Sequence, residues 1–171
     1  MTRVCLLGDE DVNLQYELLS RETSRNALAT YDLREPYDNA VALETVSLGA
    51  AVSLLNDLNW YLVRFVDDVL VLEPSVSEDE WLSRDVATAV RDNELTAEET
   101  ERFLKIYGVA QQGTSGGDDG DERADEEIEQ DRPPKLVEPM FVTRTGPELP
   151  EYDLRDVEET VRVRVTKAEF E

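Results

Sequence analysis

Apolar residues fall on both faces of the run Arg3-Val4-Cys5-Leu6-Leu7, and Gly8 ends it. That pattern predicts a strand buried on both sides. Asp11 then offers an N-cap for a helix in which Val12, Tyr16 and Leu19 recur at helical spacing. Ala27, Ala29, Tyr31 and Leu33 alternate with polar neighbours and predict a half-buried strand. A turn over residues 35–39 leads into a return strand marked by Val41, Leu43 and Thr45. Ser47 can cap a helix whose face is Leu48, Val52, Leu55 and Leu58. Two readings are open for the stretch after it. Either Trp60 to Val66 is a strand that turns at Asp67-Asp68 into Val69–Glu73, or residues 48–72 form one long helix; Asn59 and the β-rich Trp60-Tyr61-Leu62-Val63 favour the break.

The resulting order, β-α-β-β-α-β, is the ferredoxin-like arrangement within the α/β (α+β) class. Capping boxes at Ser77–Glu80 and Thr96–Glu99 predict two added helices, over 77–92 and 97–107, with Gly108 after the second. Because the strands at 3–7 and 60–66 are apolar on both faces, these helices, or a partner subunit, are expected to cover the back of the sheet.

From Gln111 to Pro134 the pattern stops: Ile128 is the one apolar residue larger than Ala. This stretch is expected to be a disordered acidic linker, because it cannot bury enough surface to offset its ordering entropy. Beyond it, Lys135–Thr143 and Glu159–Lys167 predict strands joined by a Gly146/Pro147/Pro150 loop. The organisation read from the pattern is a compact domain over 1–110, the linker over 111–134 and a C-terminal β-type segment over 135–171.

Charge changes the picture most. Forty acidic residues against 17 basic give a net charge of −23 over 171 residues, and Arg stands at 14 of the basic positions, Lys only at 105, 135 and 167. Short carboxylates hold water and cations, whereas long Lys stems expose methylenes that salt penalises; the composition points to a cytoplasm at high salt. The chain has no His and a single Cys, at position 5. That removes the commonest general base and metal ligand, any intrachain disulfide and any cysteine-based zinc site. Asp118-Asp119-Gly120-Asp121 lacks the carboxylate spacing of a calcium loop. No cofactor and no metal are expected, and no signal peptide or membrane span. Free nucleic acid is not expected as a partner, because binding it requires a basic stripe.

Adjacent carboxylates are too common here to mark catalysis, and Cys5 between apolar neighbours reads as a buried, inert thiol. Two groups of residues remain as candidate sites. Gly8, Asp9 and Asp11 form a candidate ligand loop where the first strand meets its helix, although the acids there disfavour phosphate. Arg162 and Arg164 share one face of the last strand, with Arg144 and Lys167 expected nearby. They form a candidate docking edge for an acidic partner, unless they merely guard a strand edge.

The composition, together with Arg3–Gly8 and the run Val46-Ser47-Leu48-Gly49-Ala50-Ala51-Val52-Ser53-Leu54-Leu55, resembles small uncharacterised protein families of haloarchaea. That resemblance implies no known activity. The βαββαβ order with Gly8 after its first strand is also similar to ACT-type regulatory domains, which implies amino-acid binding at paired interfaces. The usual Pro-Gly pair of that loop is missing here. The expectation is a cytoplasmic, non-enzymatic binding or adaptor protein whose partner is another protein or a second copy of itself as a homodimer. The alternative is an ACT-like small-ligand sensor.

Overall fold

The computed structural model describes residues 1–110, 133–144 and 159–170. One seven-stranded, mostly antiparallel sheet carries the fold, with strands in the order β2-β1-β3-β4-β7-β5-β6. The strands are β1 (Thr2–Gly8), β2 (Ala40–Thr45), β3 (Val66–Leu72), β4 (Trp81–Ser83), β5 (Phe103–Ala110), β6 (Lys135–Thr143) and β7 (Glu159–Val165). Between them lie α1 (Leu14–Leu19), α2 (Glu22–Leu28), α3 (Leu48–Asp57), α4 (Asn59–Phe65) and α5 (Arg84–Arg91), and α6 (Lys167–Phe170) follows β7. The acidic linker expected over 111–134 lies outside the described residues, apart from Pro133 and Pro134.

The α+β class holds, but the ferredoxin-like topology does not. β1 runs antiparallel to both its neighbours, pairing Val4 with Leu43 of β2 and with Val71 of β3. One expected strand, Trp60 to Val66, is helical up to Phe65, and another, marked by Ala27 to Leu33, is the end of a helix followed by turn and coil. Residues 59–65 place Tyr61 and Leu62 inward beside Leu58 and turn Trp60 and Val63 to solvent, so helical spacing overrides the β propensity of the aromatic run. The residue that caps the end of α3, Leu58, also opens α4, which explains why neither a strand nor a single long helix forms. Residues 22–28 form α2, with Ser24 and Leu28 buried and the Ser24 hydroxyl donating to the Leu18 carbonyl. Expected elements that hold include β1, β2, β6, β7 and α3, whose Ser47 hydroxyl accepts from the Ala50 amide at 3.1 Å.

Of the two expected added helices, the first forms only in its second half, as α5, and the second gives way to a strand. Ser77 does accept from the Glu80 amide, at 3.0 Å, but it caps only a turn; the helix waits for Ser83, which accepts from Val86. At Thr96–Glu99 the reciprocal capping bonds form at 2.9 and 3.3 Å, yet the helix they start is one 3-10 turn over Glu98–Glu101. From Phe103 the apolar positions alternate instead of following a helix: Leu104 and Ile106 face one way, Tyr107 and Val109 the other, and a strand results.

The back of the sheet is therefore covered by strands, not helices. α1–α5 cover one face of β1–β4 around Val4, Leu6, Leu55, Val71 and Leu82. On the opposite face, Cys5, Leu7 and Leu70 pack against Tyr107, Val109, Val161 and Val163 of β5 and β7. The sheet coils until its second half lies across the back of its first, with three-residue β4 at the bend. Asp68 of β3 reaches across this interior to Lys105 and Tyr107 of β5, and the Asp38 amide donates to the Pro134 carbonyl at 2.8 Å.

Candidate functional site

Where the two halves of the coiled sheet meet, a cavity of about 660 Å³ opens between the β1–α1 loop, the α2–β2 loop, the start of β3, and strands β5 and β6. Its size falls in the range of small-molecule sites, roughly 300–1,000 Å³. Carboxylates come to it from separate elements: Glu10 and Asp11, Glu35 and Asp38, and Asp67. Tyr37 and Tyr107 supply aromatic wall, and Leu7, Leu136 and Lys135 complete the strand side.

One asparagine holds the loops in place. Asn39 sits in the left-handed region at φ 57°, where its side chain faces back over the β1–α1 loop. Its Oδ1 accepts from the Leu14 amide at 2.9 Å, and its Nδ2 donates to the carbonyls of Asp9 at 2.9 Å and Val12 at 2.8 Å. Gly8 is required beneath it: a Cβ there would lie 2.6 Å from Asn39 Nδ2 and 2.8 Å from Leu14 Cβ. Asn39→Ala removes three part-buried hydrogen bonds worth roughly 0.5 kcal/mol each and adds a left-handed Ala at about 1 kcal/mol. We expect a loss of about 2–3 kcal/mol in urea unfolding; a loss below ~1 kcal/mol would show that the loops hold without this side chain.

The candidate ligand loop thus enters the site in part. Gly8 and Asp11 line the cavity, while Asp9 contributes its backbone, accepting from Asn39 and donating its amide to the Phe65 carbonyl. The expected N-cap, Asp11, is displaced by Asn13, whose side chain accepts from Tyr16 at 3.1 Å; with Asn39 taking the Leu14 amide, donors at the start of α1 are already used.

The inner wall carries a part-buried polar network. The Asp68 carboxylate accepts from the Lys105 ammonium and, at 2.7 Å, from the Tyr107 hydroxyl. Burial, then the charge of Asp68 and the hydrogen bond to it, push the Tyr107 hydroxyl far above its usual range. Burial and Asp68 likewise push the Cys5 thiol up to about 12, so it is no thiolate at neutral pH. Asp67 at the cavity rim is held above the ordinary carboxylate range, by partial desolvation first and then by the charges of Asp68, Asp9 and Glu10. Among the described residues, no three acidic or thiol side chains come together closely enough to hold a metal ion. The carboxylates ring the cavity and do not converge on one point.

The arginines expected at a docking edge occupy a different place. Arg144, Arg162 and Arg164 do come together, but around the buried carboxylate of Glu80, at 2.6, 3.2 and 2.8 Å. Arg164 also donates to the Thr100 hydroxyl at 3.0 Å. β7 is an inner strand, so these residues do not guard a sheet edge. Lys167, at the start of α6, is exposed and stands outside the cluster. The polar network of Asp68, Lys105 and Tyr107, and the role of Glu80, had no sequence signal: each depends on strands far apart in the chain.

The model of a family of unknown function, DUF5804, matches residues 2–109. The chain belongs to that family. The matched stretch runs from β1 through nearly all of β5 and so includes most of the cavity wall; β6 and β7 lie beyond it. No curated protein and no solved structure matches the chain significantly. No helix among the described residues is long and apolar enough to cross a membrane.

Proposed function

We propose that this protein is a non-catalytic binding protein whose carboxylate-ringed cavity takes an extended organic cation, such as a polyamine. The observation that carries this is the cavity of about 660 Å³ with acidic side chains supplied from five positions on three elements and two tyrosines in its wall. Acids spaced around a rim suit several amines on one flexible ligand better than a single metal ion. Tyrosine faces add cation–π attraction. Desolvation and then like-charge crowding already raise the Asp67 pKa, and an ammonium beside it would relieve the repulsion. The buried, protonated Cys5 and the ion-paired Asp68 offer no ready nucleophile, which supports binding over catalysis.

The same surplus of acid suits a salt-rich milieu, where the Debye length falls to about 3 Å at 1 M and only contact pairs still attract. The test is a calorimetric titration of spermidine in dilute buffer and in molar KCl. We expect saturable binding that persists, weakened, in high salt, and a loss of about tenfold or more in Asp38→Asn/Asp67→Asn, or about 1.4 kcal/mol. Unsaturable heats, or equal affinity in the double variant, would overturn the proposal.

An adaptor role has one observation of its own. Trp60, 48% exposed, lies beneath the Arg64 guanidinium at 3.9 Å and near Arg21, with exposed Val63 beside it on α4. Trp and Arg are the residues most often found at interface hot spots. Strand addition has less support: outer strand β6 is interrupted by Pro139 and by a bulge at Glu138, where φ is 23°. ACT-like sensing implies a site at a paired interface, whereas this cavity is built within one chain.

A further inference from the structure

Along β7 the side chains of Val161, Val163 and Val165 enter the inner core, so Arg162 and Arg164 project from the opposite, outer face. There they meet Arg144 from the end of β6, and all three guanidinium groups lie within 3.2 Å of Glu80. The charges do not balance. Among the described residues, Glu80 supplies one negative charge, and the next carboxylate, Glu101, approaches Arg164 alone, at 3.9 Å. Three cations of the described residues thus face two carboxylates there, in a chain whose net charge is −23.

The donors do not balance either. Each guanidinium carries five N–H groups, far more than one carboxylate can accept. Arg164 is 6% exposed and spends its groups on Glu80 and Thr100. Arg144 and Arg162 remain 20% and 39% exposed while their inner nitrogens are tied to Glu80. Two long side chains that would otherwise lose rotamer entropy on binding a ligand are already fixed by folding. Partly buried cations in excess of their counter-charges favour an added anion.

We propose that Arg144 and Arg162, braced by Glu80 and backed by Arg164, form a binding site for an oxyanion, a phosphate or carboxylate group. This site is separate from the acidic cavity and takes ligands of opposite charge. Guanidinium forks match the two-oxygen edge of either group. Lys167, exposed and outside the cluster, is not part of it.

The test tracks the arginine Nε–H resonances of the full chain by NMR during titration with sodium phosphate and, separately, sodium acetate, with ionic strength held constant by KCl. Saturable shifts are expected at Arg144 and Arg162. Arg162→Gln should weaken binding by about tenfold or more, while Lys167→Gln leaves it unchanged. Response to phosphate alone assigns a phosphate-bearing ligand; response to both admits the carboxylates of a peptide. If Arg162→Gln does not fold, Arg162→Lys, which keeps charge but loses the fork, should still weaken binding by about threefold or more. No saturable shift, which includes the case of a site already filled by the chain's own acids, or equal affinity in the Arg162 variant, would overturn the assignment.

Discussion

A chain cut after Ala110 is expected to show no cooperative unfolding transition. β5 is paired only with β6 and β7 among the described residues, and β4 would keep β3 alone. The cut also strips Val161, Val163 and Val165 from the inner core, where they are 7%, 0% and 3% exposed. At about 1.5–3 kcal/mol for each buried side chain, these three contribute roughly 5–9 kcal/mol. Whole domains are stable by only about 5–15 kcal/mol. The stretch shared with the family, residues 2–109, is thus expected to be insufficient as a folding unit. Urea unfolding of the fragment, monitored by near-UV circular dichroism, checks this. A sigmoidal transition within about 1 M urea of the full chain's midpoint would show that the helix-covered face holds β1–β4 unaided.

The second large effect is expected at Glu80. Its removal leaves Arg164 buried with only Thr100 and distant Glu101, and removing one member of a buried ion pair costs about 3–5 kcal/mol. Because Arg144 and Arg162 are partly solvated, Glu80→Gln is expected near the lower bound. The pH dependence has a definite sign. Burial alone would raise the Glu80 pKa, but hydrogen bonds from Arg164 and Arg144 and their charges outweigh it, and the carboxyl is held below its ordinary value of 4.5. Its stabilisation is therefore complete above the unfolded-state value and disappears as pH falls through the lowered folded-state value. Stability curves of the wild type and Glu80→Gln should lie furthest apart at neutral pH and approach each other in acid. Parallel curves across that window would show that the Glu80 charge does not hold these strands together.

Local signals in the chain were legible where one element's own pattern decides its fate. Alternation and capping identified β1, β2 and α3 without help, because their buried faces and caps lie within a few residues of one another. Strands β6 and β7 were legible for the same reason. The errors have a common physical origin. At Thr96 the capping box is present and correctly bonded, but the fate of residues 103–110 is decided by the partners β5 finds in β6 and β7. At Asn59–Phe65, β-forming aromatics are overruled by the fit of Tyr61 and Leu62 against the core. The candidate sites divide likewise. Gly8 was readable as the end of the first strand and the start of a loop, whereas the partner that makes it necessary, Asn39, lies 31 positions away. Strand periodicity put Arg162 and Arg164 on one face, but it could not separate Arg144 from Lys167 or reveal the buried carboxylate 64 to 84 residues earlier that gathers the three arginines.

The last strand among the described residues, β7, lies between β4 and β5 near the middle of the sheet. During translation, then, both of its neighbours leave the ribosome before it does and wait with bare hydrogen-bonding edges. The sheet closes only once β7 has emerged. Throughout that interval the acids beside the two bare edges, Glu78 and Asp79 before β4 and Glu98, Glu99 and Glu101 before β5, hold water there and oppose edge-to-edge association even where salt screens long-range repulsion.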